Sequence, residues 1–276
     1  MDGTPNGAAI AAEGLGVRGP RGWAFRAVDV DAPPGSLVAV VGPSGSGRTC
    51  LLLTLTGRMR PSAGRAEVAG LALPRRMAAV RRVSALAHVP GVAELDGSLT
   101  VGEHLRERAL LQRRFGAPPG ALFRTGTLFR TGALFRTGEE KAAREAARTE
   151  AVLMSAGLDV SALPKGAGTP VRDLGRLEAL RLALALALVG APRLVAVDDT
   201  DLKLTAAERD RAWALLRSLA GAGTTVLAVC AEAPPGDAVV VRTAPAMPQA
   251  MSQAPSQAPS QAPKGAADAL AETGRP

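Results

Sequence analysis

The sequence contains no tyrosine, two tryptophans and five phenylalanines, so aromatic residues make up 3% of its 276 positions. Three of the phenylalanines, Phe123, Phe129 and Phe135, fall within one short repeat. Any core must therefore be built from aliphatic side chains. A hydrophobic content of 47% is sufficient for one large domain built in this way.

Cysteine and long apolar runs are also scarce. Cys50 and Cys230 are the only cysteines, which predicts free thiols in a reducing compartment rather than a disulfide framework. Residues 1–14 lack the basic and then apolar order of a signal peptide. The most apolar long run, residues 180–189, contains Arg181 and is about half as long as a membrane span of roughly twenty residues. We therefore expect a soluble, cytoplasmic chain that is free to dock on a membrane protein.

Positive charge exceeds negative charge. The chain has 33 lysines and arginines against 25 aspartates and glutamates, a formal net charge of +8. This balance is compatible with nucleic acid, an anionic membrane face or nucleotide phosphates as partners, and a compositional bias toward arginine is the rival explanation. A nucleic-acid partner is not expected, because the sequence shows no coiled-coil insertion, zinc-ligand set or array of stacking aromatics.

The most informative stretch is residues 37–57, which reads as a short apolar strand, a glycine-rich turn and a helix. Residues 37–41 are apolar on both faces, as in a strand buried in a parallel sheet. Glycines in the turn permit positive φ and let backbone N–H groups surround an anion at the positive end of the helix. The order nearly matches the pattern G-x-x-x-x-G-K-[ST], with arginine in place of lysine. The predicted phosphate-binding residues are Gly42, Pro43, Ser44, Gly45, Ser46, Gly47, Arg48, Thr49 and Cys50, and Thr49 is also a predicted Mg²⁺ ligand.

A second apolar strand, predicted at residues 193–197, ends in Asp198 and Asp199. In a parallel sheet the carboxyl ends of the strands lie at one edge, so these carboxylates are expected near the glycine-rich turn. Asp198 is predicted to hold Mg²⁺, and Asp199 is the predicted catalytic residue that positions or deprotonates the attacking water. Taken alone, the pair would be interpreted as an ordinary strand-end turn.

Hydrophobic periodicity predicts the remaining elements. Strands are predicted at 27–31, 66–70, 83–89, 224–230 and 239–241, and helices at 101–115, 142–156, 177–189 and 205–220. Thr100 with Glu103 predicts a capping box, and Thr205 a helix N-cap. His88 and His104 each stand alone on a predicted element without a partner for acid–base chemistry, so we interpret both as structural.

Three segments differ in composition from the rest. Residues 1–12 are small and polar, which predicts a disordered N-terminus. Residues 117–138 contain the repeat Leu-Phe-Arg-Thr-Gly three times, which is either a basic-aromatic patch for a partner or, as we favour, a flexible loop insertion. Residues 245–276 are rich in proline and glutamine, which predicts an extended, disordered tail.

In order and spacing, the motifs of residues 11–241 resemble the nucleotide-binding subunit of ATP-binding cassette (ABC) transporters. The matching segments are GPSGSGRT (42–49), LAHVPG (86–91), SLTVGEHL (98–105), VRDLGRLEALRLALALAL (171–188), RLVAVDD (193–199) and GTTVLAV (223–229). The resemblance implies an α/β P-loop NTPase fold in residues 13–244, with a RecA-like parallel-sheet core, an N-terminal antiparallel β part and an inserted helical subdomain at about 91–179. It also implies ATP and Mg²⁺ as cofactors, and a membrane permease and a second nucleotide-binding subunit as partners.

The departures from the family pattern concern hydrolysis more than binding. Arg48 replaces the phosphate-loop lysine, and a planar fork does not substitute for a compact ammonium without rearrangement. The resemblance places the Q-loop glutamine at Gly91, which has no side chain to reach Mg²⁺ or the water. It places the switch histidine at Ala231, which cannot contact the γ-phosphate. The catalytic glutamate becomes Asp199, which keeps the carboxylate on a shorter stem.

Further departures affect the contact with a second subunit and with adenine. The signature LSGGQ corresponds to residues 174–178, Leu-Gly-Arg-Leu-Glu, and the D-loop aspartate to Thr205. The position of the adenine-stacking aromatic is not aromatic here, and Trp23 is either a nearby substitute or a core residue. Since loss of one transition-state stabiliser costs about 10²–10³ in rate, these absences predict very slow turnover in a homodimer. In a heterodimer, a partner would supply an intact signature.

Two main hypotheses follow. The first is an ATP-binding subunit of an ABC transporter, peripheral on the inner face of the cell membrane, which hydrolyses ATP weakly or only with a partner. The second is a catalytically inactive pseudo-ATPase whose fold is kept for docking or regulation. A nucleic-acid binder with the same fold is a third hypothesis, which the net charge permits but no motif supports.

Overall fold

The structure is a computed structural model that describes residues 7–115 and 138–244, with only the backbone described for 112–115 and 138–145. The strands are β1 (Ile10–Gly19), β2 (Gly22–Ala32), β3 (Leu37–Val41), β4 (Ala63–Val68), β5 (Leu71–Leu73), β6 (Ser84–His88), β7 (Leu194–Val197), β8 (Thr225–Cys230) and β9 (Val239–Arg242). The α-helices are α1 (Arg48–Leu55), α2 (Met77–Val83), α3 (Val101–Phe115), α4 (Gly138–Ser155), α5 (Arg176–Leu188) and α6 (Ala206–Gly221). Short 3₁₀ turns lie at Val160–Ala162, Gly166–Gly168 and Val171–Asp173.

A parallel sheet lies at the centre of the fold. Its strand order is β6-β7-β8-β3-β9, and each pair of neighbouring strands is parallel. Every residue of β3, β7 and β8 is buried. One face of β3 packs with α1, and the other packs with α5 and α6, which explains why these strands are apolar without alternation. The predicted α/β fold with a parallel P-loop core is confirmed.

The register of this sheet brings the ends of several strands together at one edge. Val41 at the end of β3 pairs with Cys230 at the end of β8, and His88 at the end of β6 pairs with Val197 at the end of β7. The glycine-rich turn follows β3, and Asp198 follows β7. The sheet therefore positions the turn and the carboxylate at the same edge, as the sequence predicts.

A second, antiparallel sheet has the strand order β2-β1-β4-β5, as expected for the N-terminal β part. The predicted disorder of residues 1–12 is wrong for residues 7–12, because β1 begins at Ile10. Ala8 is fully buried, and its carbonyl accepts a hydrogen bond from Thr225 Oγ1 at 2.7 Å. A small residue fits this contact with β8, so the composition that suggests disorder is here a consequence of tight packing.

The helices between β6 and β7 occupy the region that the resemblance assigns to a helical subdomain. The capping box before α3 is confirmed: the Thr100 N–H donates to Glu103 Oε2 at 2.7 Å, and the Glu103 N–H donates to Thr100 Oγ1 at 3.3 Å. Helix α4 begins at Gly138, earlier than the predicted residue 142. The subdomain limits at 91 and 179 stay a prediction. The repeat up to residue 137 and the tail 245–276 lie outside the described residues.

Among the helices of the described ranges, none is both long and apolar enough to cross a membrane.

Candidate nucleotide-binding site

The glycine-rich turn takes a backbone path that requires glycine at its end. Gly45 and Gly47 have φ angles of 78° and 82°. A Cβ atom on Gly47 would lie 2.2 Å from the Ala24 carbonyl oxygen of β2, whereas one on Gly45 would meet nothing within 4 Å. Helix α1 begins directly after Gly47, and its first helical hydrogen bond runs from the Leu51 N–H to the Gly47 carbonyl at 2.8 Å. The N–H groups of the first helical turn thus lack intrahelical acceptors and face the turn.

The base of the turn is fixed to the end of β9. Ser46 is fully buried, and its Oγ lies 2.7 Å from Thr243 Oγ1. The Thr243 N–H donates to the Val41 carbonyl at 2.9 Å. A Cβ on Gly42 would lie 2.5 Å from Thr243 Oγ1, so this glycine also has no room for a side chain. Sequence reasoning missed Thr243, although its place just after the predicted strand 239–241 marks it as a neighbour of the turn.

The two predicted Mg²⁺ ligands lie together. Thr49 Oγ1 donates a hydrogen bond to Asp198 Oδ2 at 2.5 Å, and Asp198 is 3% exposed. The Asp198 N–H donates to the His88 carbonyl at 2.7 Å, which anchors the carboxylate to the end of β6. A hydroxyl and a carboxylate are hard oxygen donors that suit Mg²⁺. Within the described ranges, no group of three or more His, Cys, Asp or Glu side chains could hold a metal, so phosphate and water oxygens would have to complete the coordination.

Asp199 lies next to this pair in a strained conformation. Its φ is 49°, and its N–H donates to Asp198 Oδ1 at 2.8 Å. Burial, and then the charge of Asp198, raise the pKa of the Asp199 carboxyl, while Arg48, His88 and Arg176 oppose the shift. A carboxyl with a raised pKa beside a phosphate site has the electrostatic character of a general base. Its catalytic role stays a prediction.

Arg48 points to the sheet edge. Its Nη1 donates to the Cys230 carbonyl at the end of β8, at 2.6 Å. The guanidinium is close enough to Asp199 to lower that carboxyl's pKa. The positive charge is therefore at the predicted site, and one of its five N–H donors is committed to the main chain. A role for Arg48 as a phosphate ligand stays a prediction, and it requires the remaining donors.

The two cysteines flank the site but are poor nucleophiles. Cys50, in the first turn of α1, has a pKa raised by burial and by Asp198. Burial, followed by the charge of Asp201, raises the pKa of Cys230 to about 12. Both thiols are free and protonated near neutral pH. The role of Cys50 as a phosphate-binding residue stays a prediction, and it would involve the backbone N–H rather than thiol chemistry.

Trp23 lies on β2 beside Ala24, whose carbonyl approaches Gly47. The indole is half-buried, with the Arg18 guanidinium carbon 6.0 Å from the ring centre. A Cβ on Gly16 would lie 3.0 Å from the ring, so the indole packs across the β1–β2 hairpin. Its backbone is near the turn, but stacking on adenine stays a prediction.

A cavity of about 310 Å³ adjoins Asp199 on the side of α5. Its polar lining consists of His88, Glu94, Arg176, Asp199 and Thr200. His88 Nε2 lies 3.4 Å from Arg176 Nη2. Burial, and then the charge of Arg176, lower the His88 pKa, so the ring is neutral at physiological pH.

The sequence-based interpretation of His88 missed that the side chain shares a cavity with the predicted catalytic carboxylate, and its structural role stays a prediction. The missed signal is that two adjacent parallel strands end at the same edge, which places His88 beside Asp198. His104, in contrast, is buried, and its Nε2 lies 3.1 Å from the Asp96 carbonyl. It has the structural role that was expected.

The positions that depart from the family pattern have structural roles in this fold. Gly91 has a φ of 71° and donates its N–H to Glu94 Oε1 at 2.9 Å. Thr205 is the N-cap of α6. The Ala231 N–H donates to Asp201 Oδ2 at 2.9 Å. These contacts stabilise turns around the site.

These features define a P-loop nucleotide-binding protein. They are the parallel sheet, the glycine-rich turn between β3 and α1, and the carboxylate after β7 that is hydrogen-bonded to a hydroxyl of α1. The family model for the ABC transporter matches residues 25–201. That match covers more than half of the chain, and the chain belongs to the ABC transporter family.

Curated relatives support this assignment. The chain is 32% identical over 223 residues to the cytochrome c biogenesis ATP-binding export protein CcmA of Bordetella parapertussis, covering 80% of this chain and 82% of that protein. It is 45% identical over 64 residues to a hemin import ATP-binding protein of Gloeobacter violaceus, covering 23% of each. It is 29% identical over 200 residues to the Nod factor export ATP-binding protein I of Cupriavidus metallidurans, covering 72% of this chain and 55% of that protein. The chain thus spans less than two thirds of the last two relatives.

Solved structures show the same fold. The dimeric structure of a bacterial ABC transporter cassette has a TM-score of 0.59 at 18% identity, covering 86% of this chain and 94% of that chain. An ATP-binding cassette in a post-hydrolysis state with ADP and Pi has a TM-score of 0.58 at 19% identity, covering 81% and 88%. At these identities the likeness concerns the fold alone.

Proposed function

We propose that this chain is the ATP-binding subunit of an ABC-type membrane transporter and binds Mg-ATP at the glycine-rich turn. The observation that carries the proposal is the 2.5 Å hydrogen bond between Thr49 Oγ1 and Asp198 Oδ2. It joins the first turn of α1 to the end of β7 at the mouth of the turn, where a metal bound to nucleotide phosphates needs two oxygen ligands. Buried carboxylates are costly unless they are paired or bind a cation, so Asp198 fits a Mg²⁺ ligand.

We further propose that hydrolysis is weak or depends on a partner subunit. Asp199 supplies a carboxylate of raised pKa, but Gly91 and Ala231 have no side chain to orient water or contact phosphate. Arg176 stands in the signature segment and lies 3.4 Å from His88 of its own subunit. An intact signature from a second subunit would restore phosphate contacts that this chain does not provide.

The proposed partners are a membrane permease and a second nucleotide-binding subunit, at the inner face of the cell membrane. This part rests on family membership and on relatives named as ATP-binding proteins of import and export systems. The dimeric cassette with the same fold supports pairing of two such subunits.

An alternative function is favoured by one specific observation. Arg48, at the position of the phosphate-loop lysine, donates to the Cys230 carbonyl at 2.6 Å. If that bond persists with nucleotide present, the cradle lacks its cation, and the chain is a pseudo-ATPase that acts as a regulatory or docking module.

The test is calorimetric titration of ATP into the purified chain, with and without Mg²⁺, together with steady-state phosphate release. We expect Mg²⁺-dependent binding that Thr49→Val weakens about tenfold or more, since it removes a metal-ligand hydroxyl. The matched control is Thr54→Val on the same helix, whose hydroxyl donates to the Cys50 carbonyl at 2.7 Å, and it should bind like the wild type. Absence of ATP binding would refute the proposal and favour the pseudo-ATPase. Rapid release by the isolated chain would contradict the proposed dependence on a partner.

A further inference from the structure

Two arginines, Arg58 and Arg81, lie at the amino-terminal end of β6, opposite the end that carries His88, and a third, Arg108, is close enough for its charge to act on Arg58. Arg58 follows α1, Arg81 is in the last turn of α2, and Arg108 is in α3. Arg58 Nη1 lies 3.0 Å from the Oγ of Ser84, the first residue of β6. We call Arg58, Arg81 and Arg108 the arginine cluster. The cluster and the glycine-rich turn lie at opposite ends of α1, since the turn precedes this helix and Arg58 follows it.

The guanidinium groups of the cluster are held by main-chain carbonyls. Arg58 Nη1 donates to the Thr56 carbonyl at 2.8 Å, and Arg81 Nη1 donates to the Gly57 carbonyl at 2.7 Å. Arg108 Nε donates to the Leu186 carbonyl at 2.9 Å. Among the described side chains, none of the three forms a hydrogen bond or an ion pair with a carboxylate. Arg81 and Arg108 each retain N–H donors that make no hydrogen bond within the described ranges.

The Thr56 and Gly57 carbonyls are adjacent in the chain, so these contacts hold the Arg58 and Arg81 guanidinium groups near each other. Burial, followed by the charges of Arg81 and Arg108, lowers the pKa of Arg58 to about 10. Arginine side chains are charged at neutral pH, and Arg58 keeps its proton well above that range despite its lowered pKa. The accepting carbonyls lie at the carboxyl-terminal ends of α1 and α5, each equivalent to about half a negative charge. Counting only the described side chains, about two positive charges are therefore left without a counter-charge in this cluster.

We propose that the arginine cluster is a second anion site, which binds a phosphate group as a dianion. The fork of a guanidinium matches two oxygens of a phosphate, and anchoring by carbonyls orients the forks before the ligand arrives. A single carboxylate would balance only one of the two excess charges. The phosphate belongs to a free phosphate monoester or inorganic phosphate, or to a lipid headgroup. The site is independent of the proposed nucleotide site.

The first experiment titrates inorganic phosphate into the full chain at constant ionic strength. Binding is measured by ³¹P NMR and by the change in melting temperature (Tm). The glycine-rich turn also attracts phosphate, so all variants carry Ser44→Asp, whose carboxylate repels anions from the turn. We expect saturable binding and a rise in Tm, since a ligand of the folded state stabilises it.

The decisive comparison uses two adjacent arginines in the last turn of α2. Arg81→Gln should weaken phosphate binding about tenfold or more, because a charge-assisted hydrogen bond is lost. Arg82→Gln removes the same net charge from an exposed residue that makes no hydrogen bond within the described part of the chain, and should change the affinity by less than about twofold. Arg58→Gln should abolish binding. Arg81 is also exposed, so its variant keeps the proposal testable if Arg58→Gln does not fold.

A second arm identifies the source of the phosphate. Retention on phosphatidylcholine vesicles that contain phosphatidic acid, but not on pure phosphatidylcholine, would assign a lipid headgroup if Arg81→Gln removes it and Arg82→Gln does not. Phosphate binding without vesicle retention would assign a free phosphate. If neither probe binds, or if Arg81→Gln and Arg82→Gln behave alike, the proposal is wrong and the arginines only cap the ends of α1 and α5.

Discussion

The two halves of the candidate site differ in how much of the family pattern they keep. The phosphate half, formed by residues 42–47 with Thr49 and Asp198, retains a glycine-rich turn, a helix N-terminus and an oxygen pair for a metal. The hydrolysis half, predicted at Gly91, residues 174–178, Thr205 and Ala231, departs from the family pattern, and we expect it to lack the side chains that would act on water and on the γ-phosphate. We therefore predict that binding and hydrolysis are separable in this chain.

The difference has a physical basis in what each half requires. The phosphate half depends on backbone geometry, which the strand–turn–helix unit fixes by packing against β2 and β9. The hydrolysis half depends on individual side chains, which substitutions remove without disturbing the fold. A residue at such a position can then stabilise local structure, and Thr205 does so as the N-cap of α6.

The largest expected effect comes from breaking the phosphate half through its backbone. Gly47→Ala should lower the free energy of unfolding by about 2–5 kcal/mol, because a Cβ adds left-handed strain and must displace β2. Its Cβ would lie 2.2 Å from the Ala24 carbonyl. ATP binding should be lost with it. Chemical denaturation and calorimetry measure both quantities.

Gly45→Ala is the matched control, since Gly45 has a similar φ of 78° but open space around it. It should cost only about 1–2 kcal/mol, from strain alone. Equal losses in the two variants would show that the contact with β2 does not shape the turn.

The sequence anticipates the phosphate half well, because its signals are local. The apolar run of β3, the glycines and the helix start are adjacent in the chain, and the strand at 193–197 ends in carboxylates. The directions of the side chains, in contrast, depend on residues that are distant in the sequence. Arg48 bonds to Cys230 on another strand, and His88 reaches the cavity of Asp199 only because β6 pairs with β7.

The missed elements also depend on tertiary contacts. Strand β1 includes small residues, and Ala8 just before it is fully buried against Thr225. Helix α2 is short, with Val80 as its one buried residue. Neither carries the periodic pattern that a sequence-based prediction needs.

An intermediate effect is expected at Asp199, where the two halves meet. Asp199→Asn should reduce any ATP turnover by about 10²–10³, since it removes the predicted base, while Mg-ATP binding persists. The same change should raise Tm near neutral pH. A carboxyl whose pKa is raised on folding destabilises the folded state above that pKa, and this penalty disappears as the pH falls below its ordinary value of 3.8. The gain in Tm should therefore vanish in acid.

Asp210→Asn, the same substitution at an exposed residue of α6, is the control and should change neither turnover nor Tm. A fall in ATP binding with Asp199→Asn would show that the two halves are not separable at this residue.

The smallest effect tests the hypothesis that residues of the predicted hydrolysis half contribute to the stability of the fold. Thr205 Oγ1 accepts the Glu208 N–H at 3.3 Å, and Glu208 Oε2 accepts the Thr205 N–H at 2.9 Å. Thr205→Ala should lower the free energy of unfolding by about 1 kcal/mol. Thr205→Asp keeps an N-cap oxygen, but it replaces the hydroxyl that donates to Glu208 Oε2 at 2.8 Å with a like charge, so it should lower the free energy of unfolding by a similar amount. Thr205→Asp also restores the aspartate that the family resemblance expects. If this variant folds and still gives no gain in ATP turnover with the isolated chain, the predicted deficit of the hydrolysis half lies in Gly91, Ala231 and the signature segment. A gain in turnover would instead show that one side chain limits the rate.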